Sequence, residues 1–109
     1  MEYDVLNKGK HKEEHVICAA IWYQDGKKYE HQPSNVESGY VVCGRRHFNC
    51  VATTILLSGS LPVREIRTDG FLTSKDRFLN RVEANDLAIK MKQVYGNCEG
   101  DELISEDLY

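Results

Sequence analysis

The fold class predicted for this 109-residue chain is α+β: a small antiparallel β-sheet packed with two helices in a single domain. Three observations predict it. An apolar run rich in β-branched and aromatic residues, His15 to Tyr23, ends at Asp25-Gly26, a strong hairpin turn signal. From Phe48 onward the apolar spacing changes to the three-and-four period of a helix. A second helical stripe then starts behind Asn80 and Glu83, whose three-residue separation suits an N-terminal capping arrangement.

Residues 1–13 are polar and aperiodic, which predicts a flexible N-terminal arm ahead of a single ligand-binding domain over 14–109. After the first strand, Lys28-Tyr29-Glu30-His31 reads as a return strand. Pro33-Ser34-Asn35 and Ser38-Gly39 punctuate a loop, and Tyr40-Val41-Val42-Cys43 forms a buried strand closed by Gly44. Phe48, Val51, Ile55 and Leu56 mark the core face of a helix over 47–58, with Ser58-Gly59 to stop it. Val63 to Thr68 alternates like a half-exposed strand, and Asp69-Gly70 reads as a turn or bulge before Phe71-Leu72-Thr73. Ser74-Lys75-Asp76 connects to a returning Arg77-Phe78-Leu79. The last helix carries Ala84, Leu87, Ala88, Met91 and Val94 on one side and stops at Gly96. Leu108-Tyr109 is a sticky end for a free tail, so the C-terminus is expected to dock on the domain or on a partner chain.

Composition narrows the function classes. With 41% hydrophobic and 28% charged residues the chain is an ordinary globular sequence, not a disordered one. A net charge of −3 argues against a nucleic-acid polymer as partner, because such binding draws its affinity from neutralising many phosphates. No apolar run approaches the ~20 residues that span a bilayer, and Met1-Glu2-Tyr3-Asp4 is too acidic for a signal peptide, so no membrane is expected and the location is expected to be cytoplasmic. Cys18, Cys43, Cys50 and Cys98 are then reduced, with core packing as their ordinary role. Cys43-x3-His47-x2-Cys50 contains soft ligands but no CxxC pair or second cluster, so neither a metal nor a cofactor is expected.

The motif that calls for explanation is Gly44-Arg45-Arg46-His47, which sets positive side chains at a helix start. Unpaired N–H groups already make that end positive, and acidic or neutral caps normally occupy it; the mismatch costs a few tenths of a kcal/mol or more. The arrangement makes sense if an anion arrives, since backbone donors and guanidinium groups then converge on one phosphate. Arg81, in the first turn of the second helix, repeats the anomaly.

A nucleotide suits these parts: arginines for phosphate, Phe71 or Phe78 to stack on a base, Asn80 to bond a base edge or ribose. Both phenylalanines are also ordinary core residues, and Asn80 is also an ordinary helix cap. An enzyme needs a nucleophile with a base, paired carboxylates or a metal set. Cys50 with His47 lacks an orienting acid, Glu83 has a capping role, and no Walker, Rossmann or HExxH pattern occurs. No catalytic residue is therefore assigned. A nucleotide hydrolase or lyase using His47, Cys50 or Glu83, and a protein-interaction module using the tail, stand as alternatives. A chain this short builds one core but does not enclose a large ligand alone, so an extensive pocket needs a second copy.

Gly44-Arg45-Arg46-His47-Phe48-Asn49-Cys50, Gly70-Phe71-Leu72-Thr73-Ser74 leading to Arg77-Phe78-Leu79-Asn80-Arg81-Val82-Glu83-Ala84, and Leu103-Ile104-Ser105-Glu106-Asp107-Leu108-Tyr109 are similar to motifs of small bacteriophage proteins. Over residues 15–109 the chain resembles the first type of Thoeris anti-defence protein. Those proteins are non-enzymatic sponges that sequester cyclised ADP-ribose signals made by bacterial TIR-domain proteins. The resemblance implies a β-sheet with two helices, assembled as a homodimer or a higher homo-oligomer, a hexamer built as a trimer of dimers among them, with the ligand held between chains. On the matching positions it implies that Arg46 and Arg45 contact phosphates, Phe71 stacks on adenine and Asn80 hydrogen-bonds the ligand. Ser105, Glu106 and Asp107 would shape the pocket, and His47, Thr73 and Arg81 are carried over as further motif members. Some members of that family also hold cyclic oligonucleotides at a separate site, which these motifs do not place.

Overall fold

In the computed structural model, which describes residues 13–94 and 102–108, strand β1 (Val16–Tyr23) is the centre of the sheet. It pairs antiparallel with β2 (Tyr40–Gly44) on one side and with β3 (Arg67–Thr73) on the other; β3 in turn pairs antiparallel with β4 (Phe78–Asn80). The order β2-β1-β3-β4 makes a four-stranded antiparallel sheet. Helices α1 (His47–Ser58) and α2 (Arg81–Lys90) complete a single α+β domain, as the residue pattern predicts.

Alternation along β1 splits the apolar residues between two faces. Ala19, Ile21 and Tyr23 share the main core with Phe71, Leu79, Cys50, Ala84, Ala88 and Leu103, so both helices and the C-terminal segment cover that face. Ala20 faces the other way and packs with Phe78, Val36, Trp22, Val41 and Leu72. The loop over 24–39 closes this second face: Val36 enters it, and the Trp22 indole N–H donates to the Ser38 carbonyl at 3.0 Å.

The return strand expected at Lys28 to His31 does not form. Asp25 binds its own loop, accepting from the Lys27 N–H at 2.9 Å and the Tyr29 hydroxyl at 2.6 Å, and His31 adopts a left-handed φ of 62°. These local bonds give the backbone an alternative to a ladder. The strand that does pair with the end of β1 is β2, with Tyr23 opposite Tyr40. The loop also caps the free edge of β4, where the Asn35 amide accepts from the Phe78 N–H at 2.8 Å and donates to the Phe78 carbonyl at 2.7 Å.

Asp69-Gly70 is also not a turn. Both residues lie inside β3, opposite Ile21 and Ala20. A Cβ at Gly70 would strike the Leu79 carbonyl oxygen, so the glycine serves close strand approach rather than reversal. Of the alternating segment Val63 to Thr68, Arg64–Ile66 forms a 3₁₀ turn, and Arg67 and Thr68 begin β3. The turn at Ser74-Lys75-Asp76 is as expected, with the Asp76 N–H bonded to the Thr73 carbonyl at 3.0 Å.

Helix α1 has its expected limits but is rotated relative to the expected core stripe. Cys50 and Thr54 are buried and Val51 is partly buried, while Phe48, Ile55 and Leu56 point outward. The buried Cys50 S–H reaches the Ala19 carbonyl at 3.7 Å, and Gly44 leaves room for the first turn, since a Cβ there would lie only 3.1 Å from Asn49 Cβ. Helix α2 starts on the predicted box: Asn80 Oδ1 accepts from the Glu83 N–H at 2.8 Å and Glu83 Oε1 accepts from the Asn80 N–H at 2.9 Å. It ends at Lys90, before Gly96, with Lys92 in a left-handed conformation at φ 57°. Gly96 and residues 1–12 of the expected arm at 1–13 lie outside the described residues. No helix among the described residues is long and apolar enough to cross a membrane.

Candidate functional site

Arg46 is the N-cap of α1, with extended backbone at φ −129° and ψ 158°, and it provides no side-chain cap. The first turn contains no acid; Asn49 Oδ1 instead reaches back to accept the Arg46 N–H at 3.0 Å. The basic helix start read from the sequence is therefore present, with one change in charge. Burial lowers the pKa of His47, and the neighbouring Arg81 and Arg67 add to the effect against an opposing hydrogen bond to Gly70. The imidazole is neutral near pH 7 and adds no positive charge to the helix start.

His47 Nε2 lies 2.7 Å from the Gly70 carbonyl oxygen. A carbonyl only accepts, so Nε2 carries the proton and Nδ1 presents its lone pair to Arg81, whose terminal nitrogen stands 3.4 Å away. The ring meets Phe71 edge-on, with centroids 5.1 Å apart and planes at 88°. His47 thus sets the first turn of α1 on β3.

Arg81 joins four segments. One guanidinium nitrogen donates to the Leu103 carbonyl at 2.9 Å, and another reaches Asp69 Oδ2 and His47 Nδ1, both at 3.4 Å. The Arg81 carbonyl accepts from the Leu103 N–H at 3.0 Å. Asp69 also holds Arg67 through bonds of 2.8 and 3.2 Å. Burial opposes its ionisation most strongly, yet the Arg67 bonds and surrounding cations hold its pKa below the usual value. The C-terminal chain is docked by this network: Leu103 and Ser105 are buried, and Leu108 packs against the core. The docking expected of the tail is seen on its own domain; Tyr109 lies outside the described residues.

Where α1, α2 and the docked tail meet, Arg46, His47, Phe48, Arg81, Ile104, Ser105 and Glu106 line a cavity of about 210 Å³. Five predicted site residues therefore come together: Arg46, His47, Arg81, Ser105 and Glu106. Arg45 is exposed on the same connection but does not line the cavity. Asp107 works one step behind, its carboxylate accepting the Ile104 N–H at 3.2 Å and fixing the 3₁₀ turn Ser105–Asp107.

Three expectations need correction. Phe71 is completely buried under α1 and the tail, so its faces are covered and it does not offer a stacking surface. Thr73 turns to the other end of β3, where its hydroxyl donates to Glu14 at 2.5 Å beside the Glu14–Arg77 ion pair. Asn80 spends its side-chain oxygen on the α2 cap and does not line the cavity. Phe48, Ile104 and Asp69 are the site residues that the sequence reading passed over. The spacing of Phe48 predicts a core residue; the signal for the site is its position two residues after Arg46.

A larger cavity of about 430 Å³ lies between β2, the 24–39 loop and α1, lined by Tyr29, Gln32, Tyr40, Val41, Val42, Thr54, Leu57 and Ser58. It contains no charged side chain and does not suit an anion. Among the described residues no group of three or more His, Cys, Asp or Glu could hold a metal ion. Cys50 is a poor nucleophile, because burial raises its thiol pKa to about 12.

Comparison with known families adds the origin of the chain. A family model described as phage T4 y16D protein matches residues 15–109. The chain belongs to the phage T4 y16D family. It is thus a bacteriophage-encoded protein, and the matched span includes the basic helix start, the β3–α2 segment and the docked tail. No curated protein and no solved structure matches this y16D-family chain.

Proposed function

We propose that this phage protein binds and sequesters a cyclised ADP-ribose signalling nucleotide without degrading it, and so blocks TIR-derived Thoeris signalling in the host cytoplasm. The observation that carries the reading is the cavity shared by Arg46, Arg81 and the Ser105-Glu106 turn. It combines guanidinium donors for phosphate, at a helix start without acids, with a hydroxyl and a carboxylate that suit ribose hydroxyls. The motif resemblance supplies the ligand class, and the phage family supplies a setting in which a host defence signal is a sensible target.

Sequestration is favoured over turnover by the state of the nearest reactive groups. The Cys50 thiol is directed at the Ala19 carbonyl inside the core, and the protonated nitrogen of His47 is committed to Gly70. A hydrolase built on that pair would need both released. At about 210 Å³ the cavity is below the usual range for enclosing a ligand of this size, about 300–1,000 Å³. That supports completion by a second copy, as a homodimer or higher homo-oligomer.

Calorimetric titration with cyclised ADP-ribose tests the reading. Arg46→Glu replaces a phosphate donor by a repelling carboxylate and should weaken binding by several kcal/mol if the pair is desolvated, roughly a hundredfold or more. Unchanged affinity in that variant would move the site elsewhere.

A further inference from the structure

Phe48 is the second residue of α1 and is 77% exposed, although a phenylalanine left in water forgoes the free energy of burying its ring. Helix propensity does not explain its presence, since aromatic residues rank below Ala, Leu and Glu. Its position does have a consequence: Phe48 lines the same cavity as Arg46 and Arg81. Ile104, 46% exposed, lines that cavity from the C-terminal segment. Two exposed apolar side chains from distant parts of the chain thus flank two guanidinium groups.

The other aromatic groups nearby are already engaged. Phe71 is completely buried, and the His47 ring is held between Gly70, Arg81 and Phe71. Ile55 and Leu56 are exposed on the same helix, but they stand two turns further on and do not line the cavity. A flat apolar ligand group bound beside the arginines therefore meets Phe48.

Resting on the nucleotide reading above, we propose that Phe48 is the stacking platform for the base of the bound nucleotide, with Ile104 covering the cavity's other apolar side. Every nucleobase offers a π-face, and a base–aromatic stack adds affinity without requiring a hydrogen-bond pattern. Arg46 and Arg81 then hold the phosphates, and Phe48 selects a ligand that carries a base over a simple phosphate ester. Phe48 is a binding residue in this assignment and has no catalytic part.

The test compares the parent protein with Phe48→Trp, Phe48→Leu and Arg46→Glu, using cyclised ADP-ribose as probe. Affinity, the ultraviolet absorbance of the bound base and the sedimentation mass are measured together. Trp should bind at least as well as Phe, and Leu about ten- to a hundredfold more weakly, with loss of the absorbance change that accompanies stacking. Because Phe48 is exposed, Phe48→Leu should keep the parent's circular dichroism. Phe48→Leu binding as tightly as the parent while Arg46→Glu does not would remove the stacking assignment and leave the nucleotide reading in place. Weak binding with an altered mass and an unchanged base absorbance at saturation would make Phe48 a contact between copies and overturn the assignment. A parent protein that binds none of the probe would overturn the nucleotide reading and the stacking with it.

Discussion

His47 and Gly70 are joined by a 2.7 Å hydrogen bond from the imidazole Nε2 to the backbone carbonyl, which fixes the tautomer and anchors the first turn of α1 on β3. The neutral ring makes folding sensitive to mild acid. Burial holds its folded pKa below the ordinary histidine value of 6.5, so the unfolded chain takes up a proton that the folded chain resists. Stability should fall as pH drops through about 6.5. His47→Gln keeps a donor for Gly70 without titrating, and denaturant melts at pH 7 and pH 5.5 should show a shallower loss in that variant than in the parent.

Glu14 gives an acid limb at lower pH. The Arg77 hydrogen bonds, more than any other contact, hold its carboxyl down at about 2, against the ordinary glutamate value of 4.5. This stabilisation is present above the unfolded value and is lost as pH falls from 4.5 toward 2. Arg77 is 44% exposed, so solvent screening limits the pair to about 1 kcal/mol. Glu14→Gln should lower stability by that amount at pH 7 and flatten the acid limb, as read by thermal melts across that range.

The basic cap of α1 predicts opposite effects on stability and binding. Arg46→Asp supplies the missing side-chain cap, worth about 1 kcal/mol. Thermal stability should hold or rise while affinity for cyclised ADP-ribose falls. Loss of both together would place Arg46 in the fold rather than in the site.

Much of the fold was legible because its signals are local. The limits of α1, the Asn80–Glu83 box and the two apolar strands on either side of the 24–39 loop each depend on residues near one another in the chain. What was not legible depends on distant partners. Gly70 reads as a turn residue until Leu79 is placed against it, and Lys28 to His31 reads as a strand until Asp25 captures the loop. For the same reason Phe48 reads as a core residue and is exposed, while Phe71 reads as an open aromatic face and is buried. Periodicity shows that α1 has apolar residues but not which side turns to the sheet, and Cys50, buried against the Ala19 carbonyl of β1, marks that side.

Gly70→Ala tests the close strand approach. The added methyl meets the Leu79 carbonyl and the Phe78 ring, so the β3–β4 pair must part. Stability should drop by about 3 kcal/mol, the upper end for overpacking, with a loss of amide protection in β4 measured by hydrogen exchange.

Binding without turnover leaves the ligand whole, so release of the bound molecule is a direct test. Protein purified after expression with a TIR-domain synthase is heat-denatured, and the freed small molecules are weighed by mass spectrometry. Intact cyclised ADP-ribose should be recovered in proportion to protein. Recovery of linear or cleaved product, or of no nucleotide, would contradict it.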